Sequence, residues 1–132
     1  MGKFESLKRK REFDAVFQRG RRSGGRALGV LTLAGEPGAG VRYGLIVSRR
    51  NAGNAVRRNL IRRRLREALR TLVKDCAIDL DVVFVARPGV RELSYQDMAA
   101  TIARALPRQL RTLASPAERG GDAHGAKEGS MA

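Results

Sequence analysis

Arginine supplies most of the groups in this chain that could do chemistry. Between positions 42 and 70 the basic residues are Arg42, Arg49, Arg50, Arg57, Arg58, Arg62, Arg63, Arg64, Arg66 and Arg70. The only acid there is Glu67, which leaves a net charge of +9 over 29 residues. A face that merely keeps a protein in solution mixes its signs, and this stretch does not. Asn59, Arg62, Arg63, Arg66 and Arg70 recur at offsets of 3, 4, 7 and 11, so in a helix they become neighbours on one side. Guanidinium forks grip phosphate oxygens in pairs. The excess of Arg over Lys, 22 against 5, carries no weight by itself, since codon usage can produce it. The placement carries the argument.

Groups for acid–base or covalent chemistry are scarce. The one histidine, His124, lies in a polar tail and gives no basis for a triad or a histidine metal site. Cys76 is the only cysteine, so no internal disulfide or cysteine zinc cluster is expected, and it reads as a small packed residue. Asp79 and Asp81 stand at a strand start and could face one way. Two carboxylates alone make a weak magnesium site, and most such pairs are solvated strand edges. No phosphate-binding glycine loop follows a strand, and G-x-S-x-G is absent. Phe13 and Phe17, four residues apart, carry two readings. Either both dock a helix into the core, or one ring edges a groove where single-stranded bases stack.

The elements that position these groups form one modest domain. The chain has 132 residues, 42% of them hydrophobic, and 27 bases against 13 acids give a net charge of +14, which points to a polyanionic partner. No apolar run approaches the ~18 residues of a membrane helix. The N-terminal MGKFESLKRKREF has no apolar centre and is not expected to be a secretory signal. Residues 1–10 read as a basic flexible arm, 11–114 as a single polyanion-binding α/β domain and 115–132 as a disordered Gly/Ala/Ser-rich tail.

Within the domain, Phe13, Val16 and Phe17 stripe a helix over 11–19 that stops at Gly20. Residues 21–26 read as a basic loop or irregular edge. ALGVLTLA (27–34) and VRYGLIVS (41–48) read as a hairpin around the turn GEPGAG. After a loop at 49–54, Asn54 caps a helix over 55–74 with Ile61, Leu65, Ala68, Leu69 and Leu72 inward. LDVVFVA (80–86) is the continuous apolar run of a buried central strand. Ser94 and Asp97 have the spacing of a capping box, and Leu93 with Met98 that of a hydrophobic staple. They open a helix over 95–114 with a stripe of Met98, Ile102, Leu106, Leu110 and Leu113, kinked at Pro107.

GNAVRRNLIRRRLREAL (53–69) closely resembles the Arg-Asn-Arg signature of the bacterial ribonuclease P protein subunit. Phe13-x-x-Val16-Phe17-x-x-Gly20 is similar to that family's first helix. Tyr43-Gly44-x-x-Val47-Ser48-Arg49-Arg50 and Leu80-Asp81-Val82-Val83-Phe84-Val85-Ala86-Arg87-Pro88 are similar to two of its strands, in the same order. The resemblance covers about residues 6–113. It departs at Leu60, where the family usually has a second Arg or a Lys. One extra residue appears in Asn51-Ala52, and Leu31 stands where members often carry an aromatic.

The resemblance implies an α+β fold, an α-β-β-β-α-β-α two-layer sandwich with a four-stranded sheet. Its β-α-β crossover would be left-handed, against the general rule, and its fourth strand would come from the irregular region 20–27 or from a split strand. It implies the protein subunit of a cytoplasmic ribonucleoprotein endonuclease that removes 5′ leaders from precursor tRNA. Catalysis and magnesium would belong to the RNA subunit, with no catalytic residue, cofactor, membrane or small-molecule substrate for the protein. Arg49, Arg50, Asn54, Arg58, Asn59, Arg62, Arg63, Arg66 and Arg70 would contact the catalytic RNA, and Phe13 and Phe17 would line a cleft for the leader. A structural or ribosome-associated RNA-binding protein would show the same basic helix without a leader cleft. A membrane-active helix fits poorly, because the apolar stripe is needed in the core and there is no Trp.

Overall fold

The structure, a computed structural model, describes residues 3–107. Its strands are β1 (Phe4–Ser6), β2 (Arg21–Gly24), β3 (Leu28–Ala34), β4 (Val41–Ile46) and β5 (Leu80–Ala86), arranged in one sheet in the order β1-β4-β5-β3-β2. β1, β4 and β5 run parallel, while β3 is antiparallel to both β5 and β2. β5 lies at the centre and is buried at every position but Val85, as its uninterrupted apolar run requires. The helices are α1 (Lys10–Arg19), α2 (Arg49–Ala52), α3 (Ala55–Val73) and α4 (Tyr95–Ala105).

Alternation along the strands sends side chains to two faces. Leu28, Val30, Val82 and Phe84 join Leu65 and Leu69 of α3 and Met98 and Ile102 of α4 in the main core. Leu31 and Val83 point the other way and pack with Leu7 and with Val16 of α1. Helices thus cover both faces, and the sandwich has three layers where two were expected.

The sheet also has five strands rather than four. β2 is the strand expected from the irregular 20–27 region, and β1 is the addition. Residues 4–7 are therefore not an arm detached from the sheet, contrary to the reading of 1–10 as one. Phe4 stacks on the ring of Tyr43 with centroids 4.9 Å apart, and the Leu7 N–H donates to the Tyr43 carbonyl at 2.7 Å. Two apolar anchors, Phe4 and Leu7, outweigh the basic residues around them.

The expected loop at 49–54 contains α2. It is tied on both sides: the Asn51 N–H donates to Ser48 Oγ at 3.1 Å, and Asn51 Nδ2 to the Ala86 carbonyl at 3.0 Å. Ala52 is fully buried. Gly53, at φ +95°, then separates α2 from α3 in a conformation that favours glycine.

At α4 the Ser94–Asp97 capping box is complete, with both bonds 3.0 Å. Among the described residues α4 ends at Ala105, and the rest of the expected helix, 108–114, lies outside them. Leu106 is extended, as a residue before proline tends to be. Leu110 and Leu113 of the expected stripe, and the tail at 115–132, lie outside the described residues.

Candidate nucleic-acid interface

Asn54 starts α3 by accepting the Arg57 N–H at 3.0 Å. The helix buries Ile61, Leu65, Ala68, Leu69 and Val73, while Leu72 is only half-buried. Asn59, Arg62, Arg63, Arg66 and Arg70 are all exposed on the flank beside that stripe. Among the described residues the one ion pair found for these arginines joins Arg70 Nη2 to Glu67 Oε1 at 3.5 Å, with both side chains partly in solvent. Such a pair holds its arginine weakly. A polyanion laid along this flank would meet four guanidinium groups and an amide at a helical pitch of about 5.4 Å.

The remaining residues implied as RNA contacts divide. Arg50 and Asn54 are exposed around the start of α3, as is Arg57, which the resemblance did not single out. Arg49 opens α2. Arg58 is half-buried, because on a wheel it falls between Leu65 and Leu69 on the inward arc. Its Nε is enclosed and has no hydrogen-bond partner among the described residues. Arg58 therefore stands apart from the outward stripe. Leu60 is half-buried on the other flank, one turn after Val56, which is 75% exposed.

Arg42, the first arginine of the basic run, is turned inward. Its Nε and Nη2 donate to the two carboxylate oxygens of Asp81 at 2.9 and 2.7 Å, and its Nη1 to Glu12 Oε2 at 2.9 Å. The Asp81 hydrogen bond, the largest influence, raises the Arg42 pKa. Glu12 also accepts the backbone N–H groups of Arg9 and Lys8, each at 2.9 Å, and these bonds hold its carboxyl below its ordinary pKa. Asp79 accepts from Gly38 N and Gly40 N at 3.1 and 2.8 Å, pinning the β3–β4 turn. The two aspartates are thus committed to structure. Cys76 packs half-buried against the main core, and burial raises its thiol pKa. Among the described residues there is no group of three or more His, Cys, Asp or Glu that could hold a metal.

Phe13 and Phe17 both lie half-buried on the α1 face, packed against the cluster of Leu7, Val16, Leu31 and Val83. The Phe13 ring lies so close over Gly44 that a Cβ there would overlap it. Both rings are core members with part of their surface still open. Ile46, 40% exposed, and half-buried Val85 continue this face along β4 and β5.

Fold and site together define a small α+β protein with an exposed basic flank on one long helix. A family model described as Ribonuclease P matches residues 1–109. The ribonuclease P protein component of Brevibacillus brevis is 33% identical over 108 residues, covering 82% of this chain and 85% of that protein. That of Shouchella clausii is 37% identical over 102 residues, covering 77% and 83%. The chain belongs to the ribonuclease P protein family, and membership implies an RNA partner in a ribonucleoprotein.

Two solved structures share the fold. The Staphylococcus aureus RNase P protein aligns with a TM-score of 0.63 at 24% identity, over 76% of this chain and 90% of that one. The Thermotoga maritima RNase P protein aligns with 0.62 at 23%, over 81% and 96%. No helix among the described residues is long and apolar enough to cross a membrane.

Proposed function

We propose that the chain serves as the protein subunit of a ribonuclease P holoenzyme, docking the catalytic RNA with α3 and the 5′ leader of precursor tRNA with the α1 face of the sheet. The observation that carries this reading is the exposed flank of Asn59, Arg62, Arg63, Arg66 and Arg70, with one weakly paired acid beside it. Where two RNAs meet, phosphate repulsion opposes assembly. A fixed row of guanidinium groups offsets it, releases counterions and raises substrate affinity and local magnesium occupancy. Arg50 and Asn54, with Arg49, extend the contact around the start of α3, and Arg58 acts from the buried side of the helix by setting its seat.

Hydrolysis and its magnesium ions belong to the RNA subunit in this reading. The protein positions and neutralises. Phe13 and Phe17 offer ring surface to unpaired leader bases beside Ile46 and Val85. The left-handed hand of the β4–α3–β5 crossover and a cytoplasmic place of work belong to the same proposal.

The test is the salt dependence of binding to a bacterial ribonuclease P RNA. Six to eight arginine contacts give log K a slope against log salt of roughly −4 to −7. A slope near zero contradicts docking through phosphates.

A further inference from the structure

A second arginine cluster lies away from α3. Arg22 of β2, Arg26 of the β2–β3 turn and Arg87 just after β5 converge on a cavity of about 620 Å³ whose other lining residues are Ser23, Gly24 and Gly25. No acid lines it. All three arginines are exposed.

The cluster is built rather than fortuitous. The Arg87 N–H donates to the Ala27 carbonyl at 3.0 Å, and Arg87 Nη1 reaches the Gly25 carbonyl at 3.4 Å. The guanidinium lies across Gly29, where a Cβ would stand 2.9 Å from Nη2. Any larger residue at 29 would push the fork away. Gly24, at φ +97°, and the Gly25 N–H bond to the Leu28 carbonyl at 2.9 Å set the tight turn that brings Arg26 alongside. A guanidinium held in place loses less entropy when it binds.

Register places the cluster on the α1 face. Ile46 pairs with Val85, Val85 with Gly29 and Gly29 with Gly24, while Arg22 pairs with Leu31 of the α1-side core. Cross-strand partners share a face. A row of small and apolar positions thus runs from Ile46 to the cavity, about 14 Å across three strand spacings.

We infer that Arg22, Arg26 and Arg87 form a second phosphodiester-binding site, at the β2 edge of the sheet and on the face opposite α3. The ligand is an RNA backbone phosphate. The row leading from Ile46 favours the leader as its source, a point that rests on the leader reading above. The site itself does not depend on that reading.

The experiment assembles the full chain with a bacterial ribonuclease P RNA. Affinity is measured for mature tRNA, a short-leader precursor and a long-leader precursor across a salt series, and for the RNA subunit alone. Arg26→Ala and Arg87→Ala each weaken long-leader binding about tenfold at low salt. Each flattens its slope by roughly 0.7, the single-strand value per phosphate, and leaves mature tRNA unchanged. Gly29→Ala keeps all three arginines but displaces the Arg87 fork, so it reproduces Arg87→Ala. Thermal unfolding confirms that each variant folds, and Arg26, at the exposed turn, keeps the test valid if Arg87→Ala does not.

If the variants instead weaken binding to the RNA subunit, the phosphate is the catalytic RNA's and the site stands. Unchanged affinity in every arm overturns the site, even where Phe17→Ala loses leader discrimination and the leader reading stands. Absence of leader discrimination in the unaltered protein sinks the leader reading alone, and the RNA-subunit arm then decides the site.

Discussion

Arg42 and Arg66 belong to one basic run and face opposite environments. Arg66 stands outward on α3 among like charges. Arg42 is locked between Asp81 and Glu12. Replacing Arg66 with Ala is expected to weaken RNA-subunit binding with or without precursor tRNA, and to flatten the salt slope by roughly one. Replacing Arg42 with Ala strands Asp81, which is 5% exposed, and is expected to cost about 3 kcal/mol of stability with the slope unchanged. Thermal unfolding and a salt series on both variants separate the two roles. The outward direction of Arg66 was legible from its helical offsets. The inward direction of Arg42 was not, because its partner is 39 residues away and is identified only by the β4–β5 register. Phe17→Ala addresses the open question of the rings. Loss of stacking, worth about 1–3 kcal/mol per base, reduces the preference for leader-bearing over mature tRNA. A folded variant with unchanged preference takes Phe17 out of the cleft and favours a structural RNA-binding role.

At the scale of elements, α1 is fastened to the sheet by chemistry as well as packing. Glu12 receives two backbone N–H groups at the start of the helix and the Arg42 fork from β4. Its carboxyl is held below the ordinary value first by the Arg9 and Lys8 bonds. A folded-state pKa below the unfolded one gives stability that is complete above the unfolded pKa of about 4.3 and disappears as pH falls through the lowered value. Denaturant midpoints followed into acid should therefore fall less steeply for Glu12→Gln than for the unaltered chain. An identical acid slope would remove Glu12 as an anchor.

Long elements with one strong signal were readable: β5 from its apolar run, α3 from its period and its Asn54 cap, and α4's start from Ser94 and Asp97. Short ones were not. β1 has three residues and pairs with a strand far along the chain, so no local pattern marks it. α2 depends on Asn51 reaching the end of β5. The end of α4 was obscured because the apolar period continues past Pro107 in the sequence while the backbone at Leu106 does not remain helical.

For the molecule as a whole, the charge lies where RNA can reach it, and the carboxylates with resolved roles are bound up in the fold: Asp79 in a turn, Asp81 and Glu12 with Arg42. The isolated protein is accordingly expected to have no nuclease activity. Cleavage that persists after removal of contaminating RNA would contradict that. The central claim is that this chain assists an RNA catalyst through the α3 flank. It is tested most directly by precursor tRNA cleavage with a bacterial ribonuclease P RNA at a magnesium concentration too low for the RNA alone. The account predicts that adding the chain restores 5′ leader removal and that the folded Arg62→Ala/Arg66→Ala variant restores far less. Failure of the folded, unaltered chain to restore cleavage, or equal rescue by the double variant, would contradict it.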